Sequence, residues 1–280
     1  ALAAAGDRGA AREKIAAVWE TWWRDQGSKI DWKRIEVGLL GGVIVAELET
    51  DTIWEVSPGG KVRWQMEDLQ GPYDVQVLSG GRFLIAEYLG QRVTERDRKG
   101  TILWEKEIED PVACRRLPNG NTFIATSRSV LEIAPGGKAV YACTLPKEQQ
   151  PVYGARAVPG SHSVFLASKE GLLVLDTSQK QPAKKIEVGG EVSDIQGLSG
   201  GQLLVTVVIG KTTKLKRIDA AGKQLEEWTT HGVSCATRLT NGNLLAGSKL
   251  GRTLCLLDSK SSAVIWKKRT EGRPIRLCRR

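Results

Sequence analysis

The chain has 280 residues, 41% of them apolar, with 31 glycines and a formal net charge of +9. No apolar run approaches the ~20 residues that a membrane helix requires, so no helical membrane span is expected. The five cysteines show no Cys-x-x-Cys spacing, which argues against a zinc site and for plain strand thiols.

In chain order, Ala1 to Ala5 read as the end of an earlier helix, and residues 8 to 26 as a separate amphipathic one. Ile15, Val18, Trp19, Trp22 and Trp23 fall at helical spacing, Glu20 and Arg24 pair at i,i+4, and Gly27 is placed to end the helix. Three indoles make an apolar face too large to leave in water, so Trp19, Trp22 and Trp23 form an expected interaction face. Residues 1–34 are therefore read as a helical tail that continues something upstream, and 35–280 as a second domain.

Within that domain one turn recurs. Leu78-Ser79-Gly80-Gly81, Leu117-Pro118-Asn119-Gly120, Leu198-Ser199-Gly200-Gly201 and Leu239-Thr240-Asn241-Gly242 are the clear copies, with weaker ones at Leu39-Leu40-Gly41-Gly42 and Val158-Pro159-Gly160. Their third positions, 41, 80, 119, 160, 200 and 241, are separated by 39, 39, 41, 40 and 41 residues. A period near forty with strand-like residues on both sides of the turn predicts an all-β fold, a six-bladed β-propeller with one four-stranded blade per repeat. In one copy, Tyr73 to Leu78 reads as the first strand and the apolar run Arg82 to Glu87 as a second strand buried on both faces. Arg92 to Arg96 reads as a third and Ile102 to Lys106 as a fourth. Asn119-Gly120 and Asn241-Gly242 predict two-residue hairpins with both central φ values positive.

The fourth strand repeats an aromatic: Trp64, Trp104, Tyr141 and Trp266 occupy one position, Trp228 is displaced by two, and the copy around Lys184-Lys185-Ile186 has none. A large ring repeated in nearly every blade points to packing between blades. First-strand candidates number one more than the blades, because Pro274 to Arg279 supplies another at the end. Placing that segment innermost in the first blade removes two open edges, so the ring is expected to be closed by the C-terminal strand. Ile35 to Leu39 is the rival occupant of the slot.

Counting two residues back from each first-strand leucine gives Gln76, Arg115, Arg156, Gln196 and Thr237. The terminal strand offers Arg276 near that position, one residue out of register with the ungapped count. A polar residue recurring on the innermost strand predicts a ring around the channel, the usual ligand position in a propeller. Three arginines in it point to a small anion, a carboxylate or phosphate. No acidic residue shares the repeat position, so either a bound anion or an ordered polar cluster must relieve their repulsion. Elsewhere the basic residues crowd 267–280 and 211–223 without a basic helix or exposed aromatic ladder, which argues against nucleic acid as the partner. His162 lies in the turn Pro159-Gly160-Ser161-His162, and His231 in Thr229-Thr230-His231-Gly232. No nucleophile–base arrangement emerges, so no catalytic residue is assigned.

The segment Val75 to Trp104 and the run Leu117 to Thr126, with the short Arg-rich ending, resemble a bacterial group of PQQ-like repeat propellers. In that group a HEAT-like helical-repeat domain precedes the ring, and the stretch from Ala17 to Asp31 is similar to its end. The resemblance implies an exported or periplasmic binding or scaffold protein with a protein partner, and leaves a cytoplasmic one open. Quinoprotein dehydrogenases share the Gly-Lys-x-x-Trp type of repeat but hold their quinone on calcium beside a vicinal disulfide. This chain has no adjacent cysteines and no carboxylate-rich constellation, so no cofactor is expected. Propeller lyases resemble it in blade type but rely on active-site histidines. The leading expectation is a non-catalytic scaffold, and the alternative a small-anion sensor or enzyme working at the channel.

Overall fold

The apolar runs after the repeated turns become second strands buried along almost their whole length, and each is flanked on both edges by an antiparallel partner. The computed structural model describes residues 17–18, 20–22, 24–25, 42–158, 161–179 and 183–279. It contains six four-stranded sheets. Blade 1 joins β1 (Val43–Glu47), β2 (Thr52–Val56) and β3 (Val62–Met66) to the last strand, β24 (Pro274–Arg279), in the order β24-β1-β2-β3. Blade 2 holds β4 (Pro72–Val77), β5 (Phe83–Glu87), β6 (Arg92–Arg96) and β7 (Ile102–Glu107). Blade 3 holds β8 (Pro111–Arg116), β9 (Thr122–Thr126), β10 (Ser129–Ile133) and β11 (Ala139–Thr144). Blade 4 holds β12 (Val152–Ala157), β13 (Ser163–Ser168), β14 (Gly171–Asp176) and the short β15 (Lys184–Ile186). Blade 5 holds β16 (Glu191–Gly197), β17 (Leu203–Ile209), β18 (Thr212–Ile218) and β19 (Gln224–Thr230), and blade 6 β20 (Cys235–Arg238), β21 (Leu244–Ser248), β22 (Thr253–Leu257) and β23 (Val264–Arg269).

Ring closure is made by the C-terminal strand. Val43 pairs with Arg279, Ile44 with Cys278, Val45 with Leu277 and Ala46 with Arg276. The first and last parts of the ring are thus joined by backbone hydrogen bonds as well as by side chains. Neighbouring blades are held together by apolar clusters pooled from two blades at a time. Val45 and Trp54 of blade 1 pack with Leu245 and Leu254 of blade 6, and Phe123 of blade 3 packs with Leu166 and Leu173 of blade 4. Each fully buried side chain of this size contributes about 1.5–3 kcal/mol relative to exposure, so the blade interfaces carry much of the stability.

The fourth-strand aromatics lie in those interfaces, as packing predicts. Trp64 stacks on Phe83 of the next blade with ring centroids 4.7 Å apart. The indole of Trp228 donates to the Ser259 carbonyl at 2.7 Å and that of Trp266 to the Pro58 carbonyl at 2.9 Å, each reaching the following blade. The Asn-Gly turns differ from expectation. Only the glycines, Gly120 at φ +84° and Gly242 at +90°, adopt positive φ. The Asn119 side chain instead accepts from the Asn121 amide at 3.0 Å, and Gly120 N–H donates to the Leu117 carbonyl at 3.0 Å. The side chain stabilises a turn with one left-handed residue rather than two.

The chain divides into two compact units, residues 1–40 and 41–280. In the first, positions 17–18, 20–22 and 24–25 are helical, and the Thr21 hydroxyl donates to the Ala17 carbonyl at 2.9 Å. Trp22 is 44% exposed. Trp19, Trp23 and residues 35–39 lie outside the described residues.

Deleting Pro274 to Arg280 should expose both edges of the closure and remove the buried Ile275, Arg276 and Leu277. A fall in melting temperature of about 10 °C or more is expected, at the ~2–4 °C per kcal/mol typical of domains this size. An unchanged calorimetric melt would mean that the ring does not depend on this strand.

Candidate functional site at the channel mouth

Inner strands pair with a neighbour on one edge only. The other edge faces the channel axis, where six sets of amide and carbonyl groups converge without a ladder to satisfy them. Side chains meet this need. Asp74 accepts from the Cys114 amide of the next blade at 3.1 Å, and Asp194 from the Ala236 amide at 3.2 Å. Gln76 accepts from the Arg116 amide at 2.6 Å. On the donor side, Arg115 reaches the Cys114 carbonyl at 2.6 Å, Arg156 the Ala155 carbonyl at 2.7 Å and Arg276 the Tyr153 carbonyl at 3.1 Å.

Strand register sorts these residues into two layers. Gln76, Arg115, Arg156, Gln196 and Thr237 pair with equivalent second-strand residues, Leu84, Phe123, Phe165, Leu204 and Leu245. The ring expected from the repeat is therefore one layer. Its sixth member is Cys278, opposite Ile44. Arg276 was expected near this layer but stands two residues deeper, opposite Ala46, in the layer of Asp74, Ala113, Gly154, Asp194 and Cys235. The terminal strand has no turn leucine to count from, and its Leu277 lies opposite Val45, in the place of Val75 and Cys114, so a count from that leucine misplaces Arg276.

The deeper layer supplies the charge that the arginines need. Asp74 is fully buried and bridges three of them. Arg115 donates at 2.8 and 3.4 Å and Arg156 at 3.3 and 3.5 Å, each spanning both carboxylate oxygens, and Arg276 Nε lies 3.5 Å away. Arg276 also pairs with Asp194. Starting from blade 1, its guanidinium lies against Tyr153 and Gly154 of blade 4, on the opposite side of the ring, and is 1% exposed. A Cβ on Gly154 would come within 2.6 Å of Arg276 Nη2, so this position has to be glycine for the guanidinium to cross. The axis is plugged by protein.

Burial pushes the Asp74 carboxyl up, but Arg115, Arg156 and Arg276 together hold it below the usual range. Burial first, then the neighbouring arginines, lowers Arg156 and Arg276 to about 10. Arg115 is desolvated as well, yet its contact with Asp74 raises it. The division follows distance, since Arg115 sits nearest the carboxylate. All three remain cations at neutral pH, so three positive charges face two negative ones. One is left over.

Above the plug lies a cavity of about 750 Å³. Arg115, Arg156, Arg217, Arg238 and Arg279 contribute to its lining, and no carboxylate does. Glu226 approaches from behind and accepts from Arg217 at 2.8 Å and Arg238 at 2.9 Å. Gln196 Oε1 and Thr237 Oγ1 are buried here without a hydrogen-bond partner among the described residues. Cys278 completes one side, while the exposed His162 and His231 line no part of it. Sequence counting found the arginine layer and missed the aspartates, although Asp74 and Asp194 recur at one repeat position, two residues earlier, where a strand's period of two returns to the same side.

No family model and no curated protein matches the chain. Solved structures are similar to it in fold. A streptogramin B lyase is 13% identical with a TM-score of 0.60, covering 83% of this chain and 80% of that one. The WD40 propeller domain of Doa1 is 13% identical with a TM-score of 0.60, covering 84% and 82%. Hydrazine synthase of Kuenenia stuttgartiensis is 17% identical with a TM-score of 0.54, and the alignment covers 69% of this chain but only 64% of that one. At such identities the likeness is one of fold.

Asp74→Asn leaves buried cations unopposed and is expected to cost about 3–5 kcal/mol, the scale for breaking a buried ion pair from one side. Adding Arg156→Gln should restore part of the loss, which a double-mutant cycle would measure. The folded-state value of Asp74 lies below its unfolded one, so its contribution is present above about pH 4 and is lost as pH falls through the folded value. That acid limb should be missing in the variant. A variant as stable as the parent in urea would show that the cluster contributes nothing.

Proposed function

We propose that the protein is a non-catalytic binding propeller that takes an anionic group, a carboxylate or phosphate, at the channel mouth. The observation that carries this reading is the cavity with five arginines in its lining and no carboxylate, set above a plug with one positive charge in excess. The Thr237 hydroxyl supports it as a buried, unpartnered donor beside the arginines, and so does the Gln196 amide, whose orientation an incoming oxyanion would set. Arginine forks suit planar or tetrahedral oxyanions because two parallel donors match two oxygens.

Propellers elsewhere serve as interaction platforms, and the resemblance to PQQ-like repeat proteins with a HEAT-like domain supports the same role here. On this reading the face of Trp19, Trp22 and Trp23 contacts a protein partner, and the mouth recognises an acidic group presented by a partner or a small molecule. The plug argues for recognition rather than passage, since Arg276 crosses the axis from blade 1 to blade 4.

Inorganic phosphate and citrate should raise the melting temperature beyond sodium chloride of equal ionic strength. Thr237→Val with Arg279→Ala should weaken binding by about tenfold or more, as expected when a charge-assisted and a neutral hydrogen bond are lost. Both residues can be replaced without touching Asp74. Calorimetric titration that finds no heat with either anion, or equal affinity in the variant, rejects the site.

A further inference from the structure

The second strands of blades 1 and 2 both end in glutamate, at equivalent places in the register: Glu47 opposite Thr52 and Glu87 opposite Arg92. Both are buried, at 2% and 0% exposure. Their surroundings differ completely. Glu87 accepts from Thr94 at 2.6 Å and Arg96 at 2.8 Å through one oxygen, and from the Gln70 amide at 3.0 Å and Arg92 at 3.1 Å through the other. Two cations and two neutral donors saturate it. In blade 1 the positions of Arg92, Thr94 and Arg96 are held by Thr52, Trp54 and Val56. Glu47 Oε2 accepts from the Thr50 hydroxyl at 3.1 Å and the Gly272 amide at 3.0 Å. Its Oε1 is buried with no partner among the described residues.

Elsewhere in the ring this position is satisfied locally. Thr126 bonds Ser129 at 2.9 Å, Ser168 donates to the Gly171 carbonyl at 3.1 Å, Ser248 accepts from the Gly251 amide at 3.0 Å, and blade 5 has the apolar Val207. Glu47 alone among the six is left short. A buried carboxylate without a cation is costly. Arg252 and Arg273 are engaged with Glu49 and Lys268 with the Gly60 carbonyl, while Arg269 is exposed at the cavity and forms no ion pair with Glu47.

Glu47 lines a cavity of about 970 Å³ where the end of β23 and its following loop meet blade 1. Five carboxylates, Glu47, Asp51, Glu67, Asp68 and Glu271, line it against two cations, Lys268 and Arg269, so the cavity is acidic on a basic protein. Trp54 also contributes to the wall, and an indole face attracts organic cations. No group of three metal-ligating side chains occurs among the described residues, and a single orphaned oxygen fits a hydrogen-bond donor better than a metal ion.

We infer that this cavity binds a primary ammonium or a guanidinium group, with Glu47 as its buried counter-charge. The cation takes the place in blade 1 that Arg92 and Arg96 fill in blade 2, donating to Oε1 beside Trp54. It can come from a free amine or from a lysine or arginine side chain of a protein partner, since the same chemistry serves both.

The test uses the whole chain with n-butylammonium and n-butylguanidinium as probes. n-Butanol serves as the uncharged isostere, and sodium chloride at equal ionic strength as the salt control. The organic cations should raise the melting temperature saturably and give a titration isotherm, while butanol and salt should not. Glu47→Gln should lower affinity by about tenfold or more, the scale of a lost hydrogen bond to a charge, while leaving phosphate binding at the channel mouth unchanged. End-blocked Gly-Gly-Lys-Gly-Gly separates the sources: tighter binding than butylammonium indicates a protein side chain, and equal or weaker binding a free amine. Equal responses to butanol and butylammonium overturn the inference, as does an affinity in Glu47→Gln within about twofold of the parent. If Glu47→Gln does not fold, the comparison of butylammonium with butanol on the parent still decides.

Discussion

Everything distinctive about the centre of this molecule follows from six strand edges that meet with no strand between them. A propeller buries its second and third strands in ladders, but the first strand of each blade offers one edge to the axis. Those amides and carbonyls are remote from bulk water and need partners. Carboxylates and amides from the same strands accept from the amides of the next blade, and guanidinium groups donate to the carbonyls. Once charged groups have been recruited for that purpose, their mutual electrostatics dictate the rest. Asp74 and Asp194 must stand where they neutralise arginines from blades two places away.

The ion cluster is thus better understood as a device for specificity than for stability. A well-packed apolar plug of equal volume can match a buried ion network in free energy, whereas a half-satisfied network is worse than either. What the cluster adds is register. Arg276 can reach Asp194 and the Tyr153 carbonyl only if β24 sits in its observed alignment on β1, and only if Gly154 leaves room opposite. A slip of one residue would point a guanidinium into the apolar interface with blade 6. Closure of the ring and composition of the plug are one constraint.

How far the sequence could be read depends on whether a property was local. Six blades were visible because the turn recurs along the chain, and at Gly80, Gly120, Gly200 and Gly242 the glycine serves a positive φ that depends on nothing distant. Packing of the fourth-strand rings was visible for the same reason. The layer of Gln76, Arg115, Arg156, Gln196 and Thr237 followed from counting. Arg276 was misplaced because the terminal strand lacks the turn leucine that anchors the count in the other blades, and its own Leu277 stands opposite Val45, in the place of Val75 and Cys114. Asn119 and Asn241 misled because asparagine supports a turn in two ways, by adopting positive φ or by accepting from the amide two residues on, and it does the second. Glu47 could not be found at all from one strand. Its significance appears only when β2 is laid beside β6 and the missing cations become visible.

The formal charge of +9 then takes on a different meaning from the one composition offers. Strands alternate in direction within each blade, so the hairpins between first and second strands lie on one face and the blade crossovers on the other. The arginine-lined mouth belongs to the first face, and the cavity of Glu47, Asp51, Glu67, Asp68 and Glu271 to the second. At physiological ionic strength a charge is felt over about 8 Å, which is less than the length of a single strand of five residues at about 3.3 Å each. A ligand arriving at either face responds to the local charge and not to the total. The excess of lysine and arginine therefore does not single out an anionic partner for the whole protein. It conceals two cavities whose linings are opposite in sign, held apart by the length of the inner strands and by the plug that closes the axis between them.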